Sequence, residues 1–128
     1  IFFAYQRFST MIDLKKYNLN QTQHRIIYSI SELDIPSMGN IQKLLNISRQ
    51  ALNVNVRDLM SRNLIEEISS DKDKRIKTLH LTIDGNDLND QINAEQTEKI
   101  ESIFENVDND WEQAMKELAD EYVKGFKG

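Results

Sequence analysis

The segment from residue 40 to residue 62 constrains the fold more than any other part of this 128-residue chain. Asn40 stands where a side chain can cap a short helix, with Ile41, Leu44 and Leu45 supplying its apolar face. Asn46 suits a left-handed turn, Ile47 is apolar, and Ser48 reads as the cap of a second helix. In that second helix Leu52, Val56 and Leu59 fall at i, i+4 and i+7, a single stripe for a core. Arg62 and Asn63 end it with a cation in the last turn and a residue that tolerates the left-handed stop. Two short helices joined by a tight turn, the second polar on its outer face, describe a helix-turn-helix.

The flanking segments extend this unit. Leu64–Ile68 and Thr78–Thr82 favour strand, the second by clean alternation. Between them Ser69 to Lys77 carries Lys72, Lys74, Arg75 and Lys77 against Asp71 and Asp73. A basic hairpin placed directly after a helix-turn-helix is the arrangement of a winged helix. Upstream, Phe3, Phe8, Met11, Ile12 and Leu14 predict a helix over 1–17, with Asn18 as its left-handed exit. Asn20 then caps a helix with Gln23 completing a capping box, and Ile26, Ile27, Ile30 and Leu33 form its apolar face before Pro36. Downstream, Thr82 caps a helix of about twenty residues through Leu88, Ile92, Ile100, Ile103 and Phe104. Asp108 caps a last helix, where Trp111, Ala114, Met115, Leu118, Ala119, Tyr122, Val123 and Phe126 keep a three-four spacing. The predicted fold is mainly α with a small β-hairpin wing, one domain over 1–128. A winged helix-turn-helix lobe spans 19–83, and dimerisation helices span 1–18 and 84–128.

These terminal helices carry more apolar surface than the small central lobe can cover. A second copy of the chain covers it by isologous packing through Phe3, Phe8, Trp111, Met115, Leu118, Tyr122 and Phe126. The alternative is an aromatic stripe packed inside a monomeric bundle.

Composition closes off other functions. With no Cys there are no disulfides, thiolate metal sites or thiol nucleophiles. His24 and His80 stand alone, so no metal site is expected; His24 reads as a first-turn surface residue and His80 as structural. No Gly-rich phosphate loop or nucleophile motif appears, so neither catalysis nor a cofactor is expected. The longest apolar stretch, Ile1 to Tyr5, is far short of the ~18 residues of a membrane span. No secretory leader is visible, which points to the cytoplasm, although the chain does not begin with Met and targeting upstream of Ile1 is unreadable. The net charge of −5 is unevenly spread. Residues 41–83 hold eight Lys/Arg against five Asp/Glu, and residues 84–128 hold four against thirteen. A basic middle followed by an acidic end suits a binding surface on an acidic scaffold, or simply soluble charged helices.

At 100° per residue from Leu52, Gln50, Arg57 and Val54 fall at about 160°, 140° and 200°, opposite the core stripe, with Asn53 flanking at about 100°. Gln and Asn pair bidentately with adenine, Arg with guanine or phosphate, and an apolar side chain meets the thymine methyl. Ser48, Arg49, Gln50, Asn53, Val54 and Arg57 are therefore the candidate DNA-reading residues. Val54 either meets a thymine methyl or packs on the wing or a neighbouring helix. In the wing, Lys72, Asp73, Lys74, Arg75 and Lys77 are the candidates. Arg75 and Lys74 suit a narrow A·T-rich minor groove, and Asp73 can hold the Arg75 guanidinium. Read blandly, the same stretch is a solvated charged turn.

On these residues the chain resembles the MarR family of bacterial winged-helix transcriptional regulators. The likeness is carried by LNQTQHRIIYSI, by NIQKLLNISRQALNVNVRDLMSRNLIEEISS and by DKDKRIKTLHLTIDG. Its most specific part is Asp-x-Arg at Asp73 and Arg75, then Leu-Thr-x-x-Gly at Leu81, Thr82 and Gly85. The resemblance implies a homodimer with recognition helices in successive major grooves of a pseudo-palindromic operator and wing arginines in flanking minor grooves. It further implies a small-molecule effector, held in a cleft between the dimer helices and the winged-helix lobe, that weakens DNA binding. Asn18, Asn46 and Asn63 stand where the family usually has Gly, and Gln42 replaces a usual small residue. The expected function is a sequence-specific, cytoplasmic, dimeric repressor. The alternatives are a winged-helix protein-interaction module and a small-molecule-binding protein without DNA binding.

Overall fold

The computed structural model describes residues 1–70, 72–108 and 110–126. Among these residues six α-helices and one hairpin follow in order: α1 (Phe2–Ser9), α2 (Gln21–Glu32), α3 (Met38–Leu45), α4 (Arg49–Ser61), β1 (Ile65–Ser69), β2 (Lys77–Leu81), α5 (Ile83–Ile103) and α6 (Asp110–Lys124). The chain divides into two compact units, residues 13–91 and residues 1–12 with 92–128.

The first unit is the winged-helix lobe. Ile26 and Ile27 of α2, Ile41 of α3, Leu52 and Leu59 of α4 and Leu79 of β2 are fully enclosed, and Ile65 of β1 nearly so. Each came from a periodic apolar position, so the lobe's core is the one the sequence pattern implies. The hairpin is antiparallel, with Ile65 opposite Leu81 and Ser69 opposite Lys77. Strand pairing takes in Ser69 and Lys77, so the wing tip shortens to 70–76. A third rung was not foreseen: the Leu79 N–H donates to the Pro36 carbonyl at 2.8 Å, and Ser37 bridges Thr78. Pro36 thus ties the wing's inner strand to the segment before α3.

Asparagine sets the chain's reversals. Asn18, Asn46 and Asn63 adopt φ of 57°, 53° and 57°, and no described glycine has positive φ. The capping box of α2 forms as read, with Asn20 Oδ1 accepting from the Gln23 N–H at 2.7 Å and Gln23 Oε1 from the Asn20 N–H at 3.1 Å. Ser37, not Asn40, caps α3: its hydroxyl accepts the Asn40 N–H at 3.1 Å, while the Asn40 amide donates to the Ile35 carbonyl. The single helix expected over 1–17 breaks after Ser9. The Ser9 and Thr10 hydroxyls both bond back to the Gln6 carbonyl, and Asp13 then starts a separate 3-10 turn, Leu14–Tyr17. Helix α6 starts at Asp110; residue 109, between it and the expected cap Asp108, lies outside the described residues.

The Leu-Thr-x-x-Gly run explains itself physically. The Thr82 hydroxyl donates to the Asn63 carbonyl at 2.7 Å and accepts from the Gly85 N–H at 3.0 Å, so it caps α5 and pins it to the turn after α4. A Cβ at Gly85 would collide with the Leu64 carbonyl. Alanine in place of a helical glycine ordinarily stabilises by ~0.5–1 kcal/mol. Here the clash should reverse the sign, and we expect Gly85→Ala to cost about 1–3 kcal/mol, read as a lowered Tm by circular dichroism. An unchanged or raised Tm would contradict this packing.

His24, read from sequence as a first-turn surface residue, is half-buried. Its Nε2 is buried with no hydrogen-bond partner among the described residues, and burial first, then neighbouring Arg25, pulls its pKa below the usual histidine value. The unfolded chain therefore binds this proton more readily than the folded one. Its contribution is fully present above the unfolded pKa of about 6.5 and is lost as pH falls through the lower folded value. Urea midpoints should fall between pH 7 and pH 5 more steeply for the wild type than for His24→Gln. Parallel curves would show that His24 does not carry this dependence.

Candidate nucleic-acid interface

Helix α4 carries most of the candidate residues. It begins because the Ser48 hydroxyl accepts the Ala51 N–H at 3.0 Å, satisfying a first-turn donor. Leu52, Val56 and Leu59 then turn inward as one stripe. On the opposite side Gln50, Val54 and Arg57 are exposed, with Asn53 half-buried beside them. Val54 is 58% exposed, so most of its side chain is open to solvent. Arg49 is exposed in the first turn, its Nη1 at 3.5 Å from Oε1 of Gln42 on α3. Gln42, the departure from the family pattern, thus lies against the residue that opens α4.

The rotation of α4 about its own axis decides which side chains face outward, and polar contacts with α2 fix it. Asn55 and Asp58 lie on one flank, at about 300° and 240° from Leu52. Asn20 Nδ2 donates to Asn55 Oδ1 at 3.0 Å, and Asn55 Nδ2 donates to the Ala51 carbonyl at 2.8 Å. Gln23 is buried, and its Nε2 donates to Asp58 Oδ2 at 2.7 Å. Arg62 reaches the same carboxylate oxygen at 3.4 Å. The capping box that begins α2 therefore also grips α4 at two points one turn apart. Sequence reasoning missed this use of Asn20, Gln23, Asn55 and Asp58. The available signal was a pair of polar residues at i and i+3 beside the apolar stripe.

The wing presents its arginine on a fixed fork. Arg75 Nε and Nη2 each donate to an Asp73 carboxylate oxygen at 3.0 Å, and the Arg75 N–H donates to the same residue at 3.0 Å. These bonds hold the Asp73 carboxyl below the usual carboxylate range. Despite the pairing, the Arg75 side chain is 90% exposed, so Asp73 orients the guanidinium without covering it. Lys72 and Lys74 are exposed at the tip, and Lys77 lies 3.7 Å from Glu67 across the hairpin. Asp71 lies outside the described residues.

The residues assigned to dimerisation separate into two groups. Phe8 stacks on Phe104 and Phe104 on Trp111, at centroid distances of 6.1 and 4.8 Å, so Phe8 and Trp111 share an intrachain aromatic stack. Phe126 is half-buried. Phe3, Met115, Leu118 and Tyr122 are exposed, together with Phe2, Tyr5 and Val123, and α6 buries no residue within the chain. Among the described residues no helix is long and apolar enough to cross a membrane, and no cluster of acidic residues and histidines is arranged to hold a metal ion.

Residues 17–76 match the model of the MarR family. The chain is similar to the HTH-type transcriptional regulator PetP of Rhodobacter capsulatus, 27% identical over 106 residues, covering 81% of this chain and 64% of that protein. Among solved structures it is similar to NadR in complex with 4-hydroxyphenylacetate, with a TM-score of 0.82 and 24% identity over 94% of this chain and 87% of that one. It is also similar to a Staphylococcus aureus MepR variant bound to an oligodeoxyribonucleotide, with a TM-score of 0.64 and 17% identity over 89% and 84% of the two chains. These likenesses establish the fold: a mostly helical chain with a two-stranded antiparallel wing.

Proposed function

We propose that the chain, whose residues 17–76 match the model of the MarR family, is a dimeric, ligand-responsive regulator of transcription that binds pseudo-palindromic double-stranded DNA and represses. The observation that carries the reading is the outward row of Gln50, Val54 and Arg57 on a helix whose rotation is fixed, followed by a wing that exposes a forked Arg75. The row enters the major groove, where Gln50 and Arg57 hydrogen-bond base edges and Val54 meets a thymine methyl. Ser48, Arg49 and Asn53 contact the backbone and flanking bases, and the wing's Lys72, Lys74, Arg75 and Lys77 follow the adjacent minor groove and phosphates. Asp73 is a positioning residue for Arg75.

A two-fold dimer matches the symmetry of such a site. The exposed Phe3, Met115, Leu118 and Tyr122 support that association. A small-molecule effector is supported by NadR, solved with 4-hydroxyphenylacetate. The reading places the protein with DNA in the cytoplasm and assigns it no catalysis. The total charge of −5 favours a protein-interaction module instead, but the excess of cations over 41–83 favours DNA.

A salt titration separates the two. About four cations per protomer on phosphates give about eight contacts per dimer, and at roughly −0.9 per contact log K should fall against log salt with a slope near −7. Arg75→Ala should shallow that slope and lose most affinity where A·T flanks are narrow. Val54→Ala should leave the slope unchanged and relax preference at one thymine, because a methyl contact releases no counterions. A flat slope, or equal affinity for specific and scrambled duplexes, would hand the chain to the interaction-module reading.

A further inference from the structure

One side-chain amide serves two helices. Gln23 is buried, and its two polar atoms have separate tasks. Its Oε1 accepts the Asn20 N–H at 3.1 Å, which closes the capping box of α2. Its Nε2 donates to Asp58 Oδ2 on α4 at 2.7 Å. Glutamate would close the box as well as glutamine does. Only an amide can make the second bond, because an ionised carboxylate has no hydrogen to donate. The identity of residue 23 therefore answers to α4, not to the cap.

That bond has no equivalent at its own position. The other polar partner of Asp58 is Arg62, the C-cap of the same helix, so it ties α4 to no other element. The Asn20–Asn55 bond does cross to α2, but it lies in solvent, where water competes for both amides. The Gln23–Asp58 bond is partly enclosed and has a charged acceptor, which makes it the stronger of the two.

We propose that Gln23 is a positioning residue for base discrimination: its amide sets the rotation of α4, and so which side chains meet the bases, while touching no DNA. The setting of α4 stands without DNA; its consequence for discrimination rests on the DNA-binding reading. Without the bond, α4 is free to rock on its apolar stripe. Paired hydrogen bonds to base edges need alignment and are lost, whereas long cationic side chains still reach phosphates. Discrimination falls and the salt-dependent part of affinity stays.

The test uses the full chain at about pH 8, where carboxylates are ionised. Gln23→Glu keeps the cap but sets two carboxylates against each other. It should lower the ratio of specific to scrambled affinity about tenfold and leave the salt slope unchanged. Asp58→Asn keeps an acceptor for Gln23 and should keep the ratio. Combining the two substitutions rebuilds the bond in reverse, the asparagine donating to the glutamate, and should restore the ratio to within about twofold. Asp58→Ala removes the same charge as Asp58→Asn but leaves no acceptor. It should lower the ratio as Gln23→Glu does, although alanine is the better helix former. Position 58 is exposed, so this comparison holds even if Gln23→Glu does not fold. Equal ratios for Asp58→Ala and Asp58→Asn, no recovery in the double variant, or equal losses on both duplexes would each overturn the role in discrimination. In a second arm without DNA, residual dipolar couplings should show α4 reoriented in Gln23→Glu and returned in the double variant. An unmoved α4 would overturn the setting of the helix. A wild type that binds no specific duplex, while α4 moves and returns, would fail the DNA-binding reading and leave that setting established.

Discussion

Everything the proposed interface does depends on one constraint, the fixed rotation of α4 against α2. A buried stripe of Leu52, Val56 and Leu59 holds the helix to the core, but apolar contact is non-directional and tolerates slippage. The bonds from Asn20 to Asn55 and from Gln23 to Asp58 are directional, and they lie on one flank of the stripe. Together they define which residues point away: Gln50, Val54 and Arg57. A rotation of one residue step, about 100°, would exchange this row for a different set of side chains. On the proposed reading, part of the lobe's specificity resides in residues that need touch no base.

The wing solves a related problem by other means. Lys72 and Lys74 are flexible point charges, whereas Arg75 is held by a carboxylate two residues before it, with paired contacts of 3.0 Å. Such exposed pairs contribute little to stability because solvent screens them. The value of this one is geometric, since it limits the directions an otherwise exposed guanidinium explores. The segregation of charge along the chain, basic over 41–83 and acidic beyond, keeps the cations where α4 and the wing need them.

Much of this was legible in the sequence because it is local. Turn chemistry identified Asn18, Asn46 and Asn63 as left-handed stops, and the Asn20–Gln23 spacing identified the start of α2. Apolar spacing identified the stripe of α4 and hence its outward row, and the Asp-x-Arg spacing of the wing anticipated the fork. The missed features depend on competition or on distance. Ser37 and Asn40 are both good caps, and the choice of Ser37 follows from Asn40 being drawn to the Ile35 carbonyl. The break after Ser9 comes from two hydroxyls converging on one carbonyl, which helical periodicity does not register. His24 looked exposed because it occupies a first turn, yet its Nε2 is enclosed by tertiary packing. The grip of α2 on α4 joins residues 35 positions apart, and no local pattern encodes such a pairing.

The central claim is that the outward row of α4 and the Arg75 fork read DNA as a symmetric pair. Selection of bound sequences from random duplexes tests it most directly. The account predicts enrichment of a pseudo-palindrome with half-sites about one helical turn apart, roughly 10 bp, flanked by A·T-rich segments. An insertion of half a turn between the half-sites should abolish tight binding. Failure to enrich any site, or affinity indifferent to that insertion, would contradict it.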